Sequence, residues 1–298
     1  MEIRVEEVKE KRLDKFLTNY IDESRSYITK LIKAGNVLVN DEEVSPHYEV
    51  RVDDVITYDD DYKEEINIEP ENIPLDIVYE DDDVIIVNKP SGMVVHPGNG
   101  NTTGTLVNAL MYHSKELSDI NGEVRPGIVH RIDKDTSGIM IAAKNNKAHE
   151  ILSDMLSRHE IEREYIALVK GEFPSDTATI DAPIGRDEKN RIRMAVTPNH
   201  SKEAITHLRV IKRYKGYTLL RLKLETGRTH QIRVHLNYIG YPIVNDPLYG
   251  TCDNPEFGQF LHSTSIKFKH PITGKELSFE CDIPEEFKAY LETLEEKE

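Results

Sequence analysis

Residues 130 to 138, HRIDKDTSG, place His130, Arg131, Asp133, Lys134 and Asp135 between the apolar runs Ile128-Val129 and Ile139-Met140-Ile141-Ala142. Charge set where local hydrophobicity predicts core is costly, so such groups need a partner or a task. A charged loop joining two strands explains the segment by itself equally well. Aspartate-pair hydrolysis would need a second carboxylate as acid, for which Asp135 stands closest. Three further blocks interrupt strand-like runs in the same way: NKPSGMVVHP at 88 to 97, REYIALVKG at 163 to 171 and TGRTHQIRVHL at 226 to 236. His230 and His235 have the spacing of a metal pair only superficially, because no third ligand block accompanies them. Cys252 and Cys281 are isolated, which speaks against both a disulfide scaffold and a zinc site. GNGNTTG at 98 to 104 has the spacing G-x-G-x-x-x-G and lacks the acidic residue a dinucleotide site requires, so it reads as a turn-rich loop entering the helical TLVNALMYH. No metal and no cofactor is expected.

The elements that must hold these blocks are mostly strands. LDIVYE, DDVIIVNKP, GIVH, GIMIAAK, EYIALVKG, YTLLRLKLE and IRVHL are strand-like, while KAHEILSDMLSRH puts Ala148, Ile151, Leu152, Met155 and Leu156 on one helical face. Strands outnumber helices without alternating with them, which predicts an α+β domain on a mixed, largely antiparallel sheet. The first 60 residues form a separate small α+β module. In it Leu13, Phe16, Leu17 and Tyr20 make one apolar stripe. A second helix is capped at Ser24, turns Tyr27, Ile28, Leu31 and Ile32 inward and stops at Gly35, with Arg25, Lys30 and Lys33 on its exposed face. VLVN, DEEV and VDDVITY supply short strands. Residues 61–75 are acidic, contain prolines and lack a period, as a linker would, leaving 76–298 as the larger domain.

The 298 residues carry a net charge of -16, which at first speaks against a polyanionic partner. Residues 41 to 83 hold 18 acidic and 2 basic side chains and so account for the whole excess. Basic runs survive elsewhere, at Lys11, Arg12, Lys15, Arg25, Lys30 and Lys33 and again at Arg186, Lys189, Arg191 and Arg193, which keeps an RNA partner in view. No uncharged apolar run of membrane-spanning length and no secretory signal is present, so a cytoplasmic protein without membrane contact is expected.

RLDKFL, SRSYITKLIKAGNVLVNDEEV and DDVI, over residues 11 to 58, resemble the RNA-binding domain of the ribosomal protein S-four type, which implies RNA contact through the second helix and the adjoining turn. The four blocks of the larger domain, in their order and separation, resemble pseudouridine synthases of the RluA/RluD type from about Asp76 to Pro284. RIRMAV, EAITHLRV, DPLYG and FLHSTSIKFKHPITG agree. His130 before Arg131, and GRTHQIR as the third motif, fit the large-subunit type better than the small-subunit type. Ile132 and Arg163 depart mildly from the family pattern, where leucine and often lysine stand.

The resemblance makes Asp133 the catalytic carboxylate, acting as nucleophile or as the base that removes a ribose proton. It makes Arg228 the arginine that pairs with Asp133, Tyr165 the residue stacked on the target base, and Arg131 the group that fills the space left by a flipped uridine. His130 counts among the substrate-facing residues and, with Lys134 and Asp135, shapes the loop. Arg25, Lys30 and Lys33 would bind RNA. The implied activity is isomerisation of uridine to pseudouridine in RNA, most simply large-subunit rRNA or a ribosomal precursor, by a monomer. A synthase acting on tRNA and a non-catalytic ribosome-assembly factor on the same fold are the alternatives.

Overall fold

The computed structural model describes residues 1–298 apart from 22, 24, 60–67, 99–101, 123–124, 191, 255–256 and 298. It divides into two compact units, Met1–Glu65 and Ile66–Glu298.

The first unit runs β1 (Glu2–Arg4), α1 (Leu13–Phe16) with a 3-10 turn over Leu17–Asn19, α2 (Arg25–Lys33), β2 (Val37–Val39), β3 (Glu42–Glu43) and β4 (Val55–Tyr58). The strands form an antiparallel sheet in the order β1-β4-β2-β3. Leu13, Phe16 and Leu17 are buried with Ile28, Leu31 and Ile32 of α2, as their helical spacing requires. Tyr20 departs from the expected stripe: it is exposed and lies with its ring centroid 4.9 Å from that of Phe16. Gly35, at φ +74°, turns the chain out of α2 in a conformation that costs glycine nothing. The cap expected at Ser24 lies outside the described residues.

In the second unit the elements are β5 (Asp76–Glu80), β6 (Val84–Lys89), α3 (Leu106–His113), β7 (Ser137–Ala143), α4 (Asn146–Ser157), β8 (Glu162–Lys170), β9 (Thr177–Asp181), β10 (Ile184–Arg186), β11 (Met194–Val196), β12 (Ile205–Tyr214), β13 (Tyr217–Leu224), α5 (Gln231–Tyr238), β14 (Leu261–Lys269), β15 (Glu276–Glu280) and α6 (Glu285–Glu292). The main sheet has the order β5-β6-β7-β14-β8-β13-β12-β9, with β15 also paired to β14, and β10 and β11 make a separate hairpin. β7 and β14 run parallel while every other pair in the main sheet is antiparallel. This is the mixed, largely antiparallel α+β sheet that the strand pattern predicts.

The continuous apolar runs of β6 and β7 reflect burial of both sheet faces. Ile85, Val87, Met140 and Ala142 enter one core with α3 and α5 residues, and Val84, Ile86, Ile139 and Ile141 enter the other, under α4. α3 starts in a capping box between Thr105 and Asn108, and Asn145 caps α4 by accepting from the Ala148 amide.

Three sequence expectations change. IRVHL is the middle of helix α5, whose residues Gln231 to Leu236 are all buried; a helix enclosed on every side loses the polar face that would mark its period. GIVH contributes only an isolated bridge, Ile128 to Ala142, before the chain leaves the sheet. The end of the expected linker packs on the second unit: Ile68 joins its core, and Asn108 of α3 donates to the Glu69 carbonyl and accepts, through its own carbonyl, from the Glu71 amide. Among the described residues no helix is long and apolar enough to cross a membrane.

Candidate active site

Asp133 sits on the loop between Ile128 and β7, and that loop is fixed from beneath by a lysine. Lys89, at the end of β6, is only 1 % exposed, and its Nζ donates to the carbonyls of Pro90, Met93 and Lys134 at 2.8, 2.8 and 2.9 Å. Burial pushes this amine down to about 7, against the opposing pull of Asp135 and Asp133. Ser91 Oγ donates to the Asp135 carbonyl and Gln259 Nε2 to Thr136 Oγ1, both at 2.9 Å. Two glycines allow the chain to close around the loop. A Cβ on Gly138 would stand 2.2 Å from the Ser263 carbonyl oxygen, where β7 meets β14, and one on Gly258 would stand 2.4 Å from Asp135 Cβ.

The loop presents the Asp133 carboxylate, 18 % exposed, to α5. Its Oδ2 accepts from Nη1 of Arg233 at 2.8 Å. The expected pairing with Arg228 is therefore corrected: Arg228 precedes α5, and its Nε donates instead to the Glu203 carbonyl at 2.8 Å. Both arginines belong to GRTHQIR, and the helical turn between them carries the second one, not the first, to the carboxylate. Arg233 is itself held by the fully buried Asp246 of DPLYG, which accepts from Nε and Nη2 at 2.8 Å each while its Oδ1 caps the Leu248 and Tyr249 amides. This fork is the geometry that makes arginine unlike lysine. Burial would lower the Arg233 pKa, but the carboxylates of Asp246 and Asp133 outweigh it and hold the group above its ordinary value. Asp246 is likewise held below the carboxylate range by Arg233 against the cost of burial.

His230, at φ +58° just before α5, places Nε2 at 3.9 Å from Asp133 Oδ1 and Nδ1 at 2.9 Å from the Tyr249 hydroxyl. Burial lowers its pKa, which keeps the ring neutral at physiological pH. Tyr165, from the middle of β8, lines the same pocket at 5 % exposure, and burial raises the pKa of its phenol. Arg131 is exposed at the pocket lining. His130 also lines it, but its Nε2 accepts from the Ile141 amide at 3.1 Å, and burial pushes the ring down to about 3. It is a neutral ring with one nitrogen committed to β7. The cavity measures about 490 Å³, room for a nucleotide.

Groups of metal-ligand type are consumed elsewhere. His235 bonds to Thr206 Oγ1 and to the Ala182 carbonyl, both at 2.9 Å. Asp81, Asp83 and His270 converge, yet His270 Nδ1 accepts from the Ile272 and Thr273 amides, so its proton lies on Nε2 and is donated to Asp81. Burial pushes the Cys281 thiol up to about 12 and leaves it unreactive. In the first unit the buried Asp14 accepts from Arg12 at 2.9 Å and from Arg25 at 2.7 and 3.0 Å. Lys33 lines a groove with both arginines, and Lys30 follows on the same helix.

A mixed sheet carrying an aspartate loop against a helix-borne arginine, with a tyrosine on the adjoining strand, defines an enzyme of the pseudouridine synthase class. A model described as RNA pseudouridylate synthase matches residues 83–238, and an S4 domain matches residues 11–56. The chain is 48% identical to the uncharacterized RNA pseudouridine synthase YlyB of Bacillus subtilis (strain 168), over 97% of this chain and 96% of that protein. It is 42% identical to ribosomal large subunit pseudouridine synthase D of Escherichia coli (strain K12), over 95% and 90%. In fold it resembles human RNA pseudouridylate synthase domain containing 1, at a TM-score of 0.58 and 24% identity, covering 78% of this chain and all of that one. The chain thus belongs to the RNA pseudouridylate synthase family, carries an S4 RNA-binding domain at its N-terminus, and isomerises uridine to pseudouridine in RNA.

Proposed function

We propose that the pocket around Asp133 isomerises uridine in large-subunit rRNA. The observation that carries this reading is the Asp133–Arg233–Asp246 chain: a carboxylate aimed into a nucleotide-sized pocket by a guanidinium that is itself fixed from behind. The names of the relatives, including the Escherichia coli enzyme that acts on the ribosomal large subunit, support that substrate. Asp133 attacks the ribose or removes its proton. The bond from C1′ to N1 breaks, the freed uracil turns, and a bond from C1′ to C5 replaces it as C5 loses a proton and N1 regains one. No redox change, hydrolysis or energy input is involved. Tyr165 stacks on the base and Arg131 occupies the space the flipped uridine leaves. Arg233, in the place the sequence gives to Arg228, pairs with Asp133 and orients it. Arg25, Lys30 and Lys33 of the S4 domain hold RNA outside the pocket, in the cytoplasm where ribosomes are assembled.

Pseudouridine formation on a large-subunit rRNA transcript tests this. Asp133→Asn is expected to lower turnover by on the order of 10²–10⁴-fold or more while RNA binding persists. Binding without wild-type turnover on any rRNA would instead favour an assembly factor, and turnover confined to tRNA would move the substrate.

A further inference from the structure

Arg163 is the one charged residue of the pocket lining that is both buried and without a partner among the described residues. It lies two residues before Tyr165 on β8, at 8 % exposure. Its Nε is buried without an acceptor, and no ion pair or hydrogen bond engages its guanidinium among the described residues. The other buried arginine of the pocket, Arg233, has two carboxylates. A buried, unpaired guanidinium bears the desolvation cost of burial with nothing to offset it until an anion arrives.

Its surroundings add positive charge, not negative. The head of Arg163 lies against Gly227, where a Cβ would stand 3.1 Å from Nη1, and the next residue, Arg228, bonds a carbonyl and no carboxylate. With Arg131 exposed on the same lining, three arginines face the cavity without a carboxylate partner, while the charge of Asp133 is already met by Arg233. In a chain of net charge -16 this local excess is pronounced. The uracil ring of a resting substrate is neutral, so the anion that RNA brings to this pocket is its phosphodiester.

We propose that Arg163 is an anion subsite that grips a backbone phosphate beside the flipped uridine, with Arg228 as the outer member of the same clamp. A side chain at 227 would press on that guanidinium and have to displace it by a few tenths of an ångström. This assignment rests on the reading of the Asp133 pocket as the site of uridine isomerisation.

The test compares wild type, Arg163→Gln, Arg163→Lys and Asp133→Asn as full-length proteins on a large-subunit rRNA transcript across a salt series, together with their melting temperatures. Arg163→Gln is expected to raise KM about tenfold with kcat nearly unchanged, and to reduce the slope of log affinity against log salt by about 1. Arg163→Lys should keep the wild-type slope. Because the glutamine removes an unpaired buried charge, its melting temperature should be equal to or above that of the wild type. An unchanged salt slope in Arg163→Gln overturns the proposal. Loss of kcat with the slope intact would assign Arg163 to the chemistry, and a lower melting temperature with unaltered KM would make it structural; either result overturns the phosphate contact. Asp133→Asn separates the two levels. If it still turns over, Asp133 is not the reacting group and the pocket loses its assigned chemistry whatever Arg163 does. If it is inactive with a wild-type salt slope, the isomerisation site holds, and the slope of Arg163→Gln alone decides the phosphate contact.

Discussion

Arg233 and Arg228 stand five residues apart, yet the structure gives them different work, and that difference is measurable. Arg233→Lys keeps the charge but cannot bond two carboxylates in one fork, so single-turnover isomerisation should slow by about 10²-fold. Arg228→Lys should cost less than about tenfold, since the positive charge is kept and one carbonyl bond is lost at the pocket edge. Equal losses would contradict the pairing seen here. Charge interrupting an apolar run marks the Asp133 segment in the sequence, but the pattern fits a plain loop as well, and only the family resemblance singles out Asp133 within it. Arg233 meets the same criterion, lying between Ile232 and Val234, but its block holds two arginines and only the helix decides which one reaches Asp133. Lys89 offers a test by pH. Its folded value near 7 lies below the ordinary 10.5, so between these values the unfolded chain binds the extra proton. The cost of burying the charged amine is therefore full below about pH 7 and fades above it, and this group makes global stability rise with pH through that window. Loop order should move the other way. A neutral amine has two hydrogens for three carbonyls, so turnover is expected to decline above about pH 7 while the melting temperature does not fall on account of this residue. Parallel pH profiles of kcat and melting temperature check the divergence.

At the scale of elements, strands β2 to β8 and β13 and the amphipathic helices α2 and α4 followed from periodicity, while GIVH made only a bridge and α5 was mistaken for a strand. Its alternation of Ile232, Val234 and Leu236 with Arg233 and His235 imitates a strand, because the polar residues are buried too and satisfied by Asp133, Asp246, Thr206 and Ala182. Tertiary partners, invisible in a local window, made those polar positions tolerable. The helix pair of the S4 domain is governed by a similar buried acid. Asp14 binds Arg12 and Arg25 together, and their guanidinium groups hold its pKa below the carboxylate range against the desolvation that would raise it. Removing a negative charge from an RNA-binding surface should by simple Coulomb attraction tighten binding. If Asp14 instead pre-organises the two arginines, Asp14→Asn will weaken RNA binding severalfold and destabilise the domain by about 1–2 kcal/mol, the arginines being partly exposed. Filter binding and urea unfolding decide the sign. Lys30→Ala with Lys33→Ala should lower affinity and the salt slope while kcat at saturating RNA is kept; an unchanged slope would remove these two lysines from the RNA grip.

Across the whole molecule, the charge that first argues against RNA lies in residues 41 to 83 and leaves the pocket lining positive. The sheet that carries the pocket depends on the end of the chain. Phe287 of α6, fully buried, packs edge-on against Phe260 at 5.0 Å, beside the segment in which Gln259 donates to Thr136 Oγ1 and the Phe257 carbonyl shares Ser91 Oγ with the Asp135 carbonyl. Phe287→Ala should cost about 3–5 kcal/mol of stability in this unit, readable by urea unfolding. Such long-range dependence is what local sequence patterns leave out. β14 lies between β7 and β8, so the strand that follows Asp133 and the strand that carries Tyr165 are neighbours in sequence but are joined in space by residues 261 to 269. A ribosome making this protein must therefore release residues 261 to 269 before the sheet can close. The S4 domain, complete within the first 65 residues, can form long before that. A nascent chain would thus acquire its RNA-binding fold well ahead of its catalytic one, and a chain cut short before residue 261 would have the first without the second.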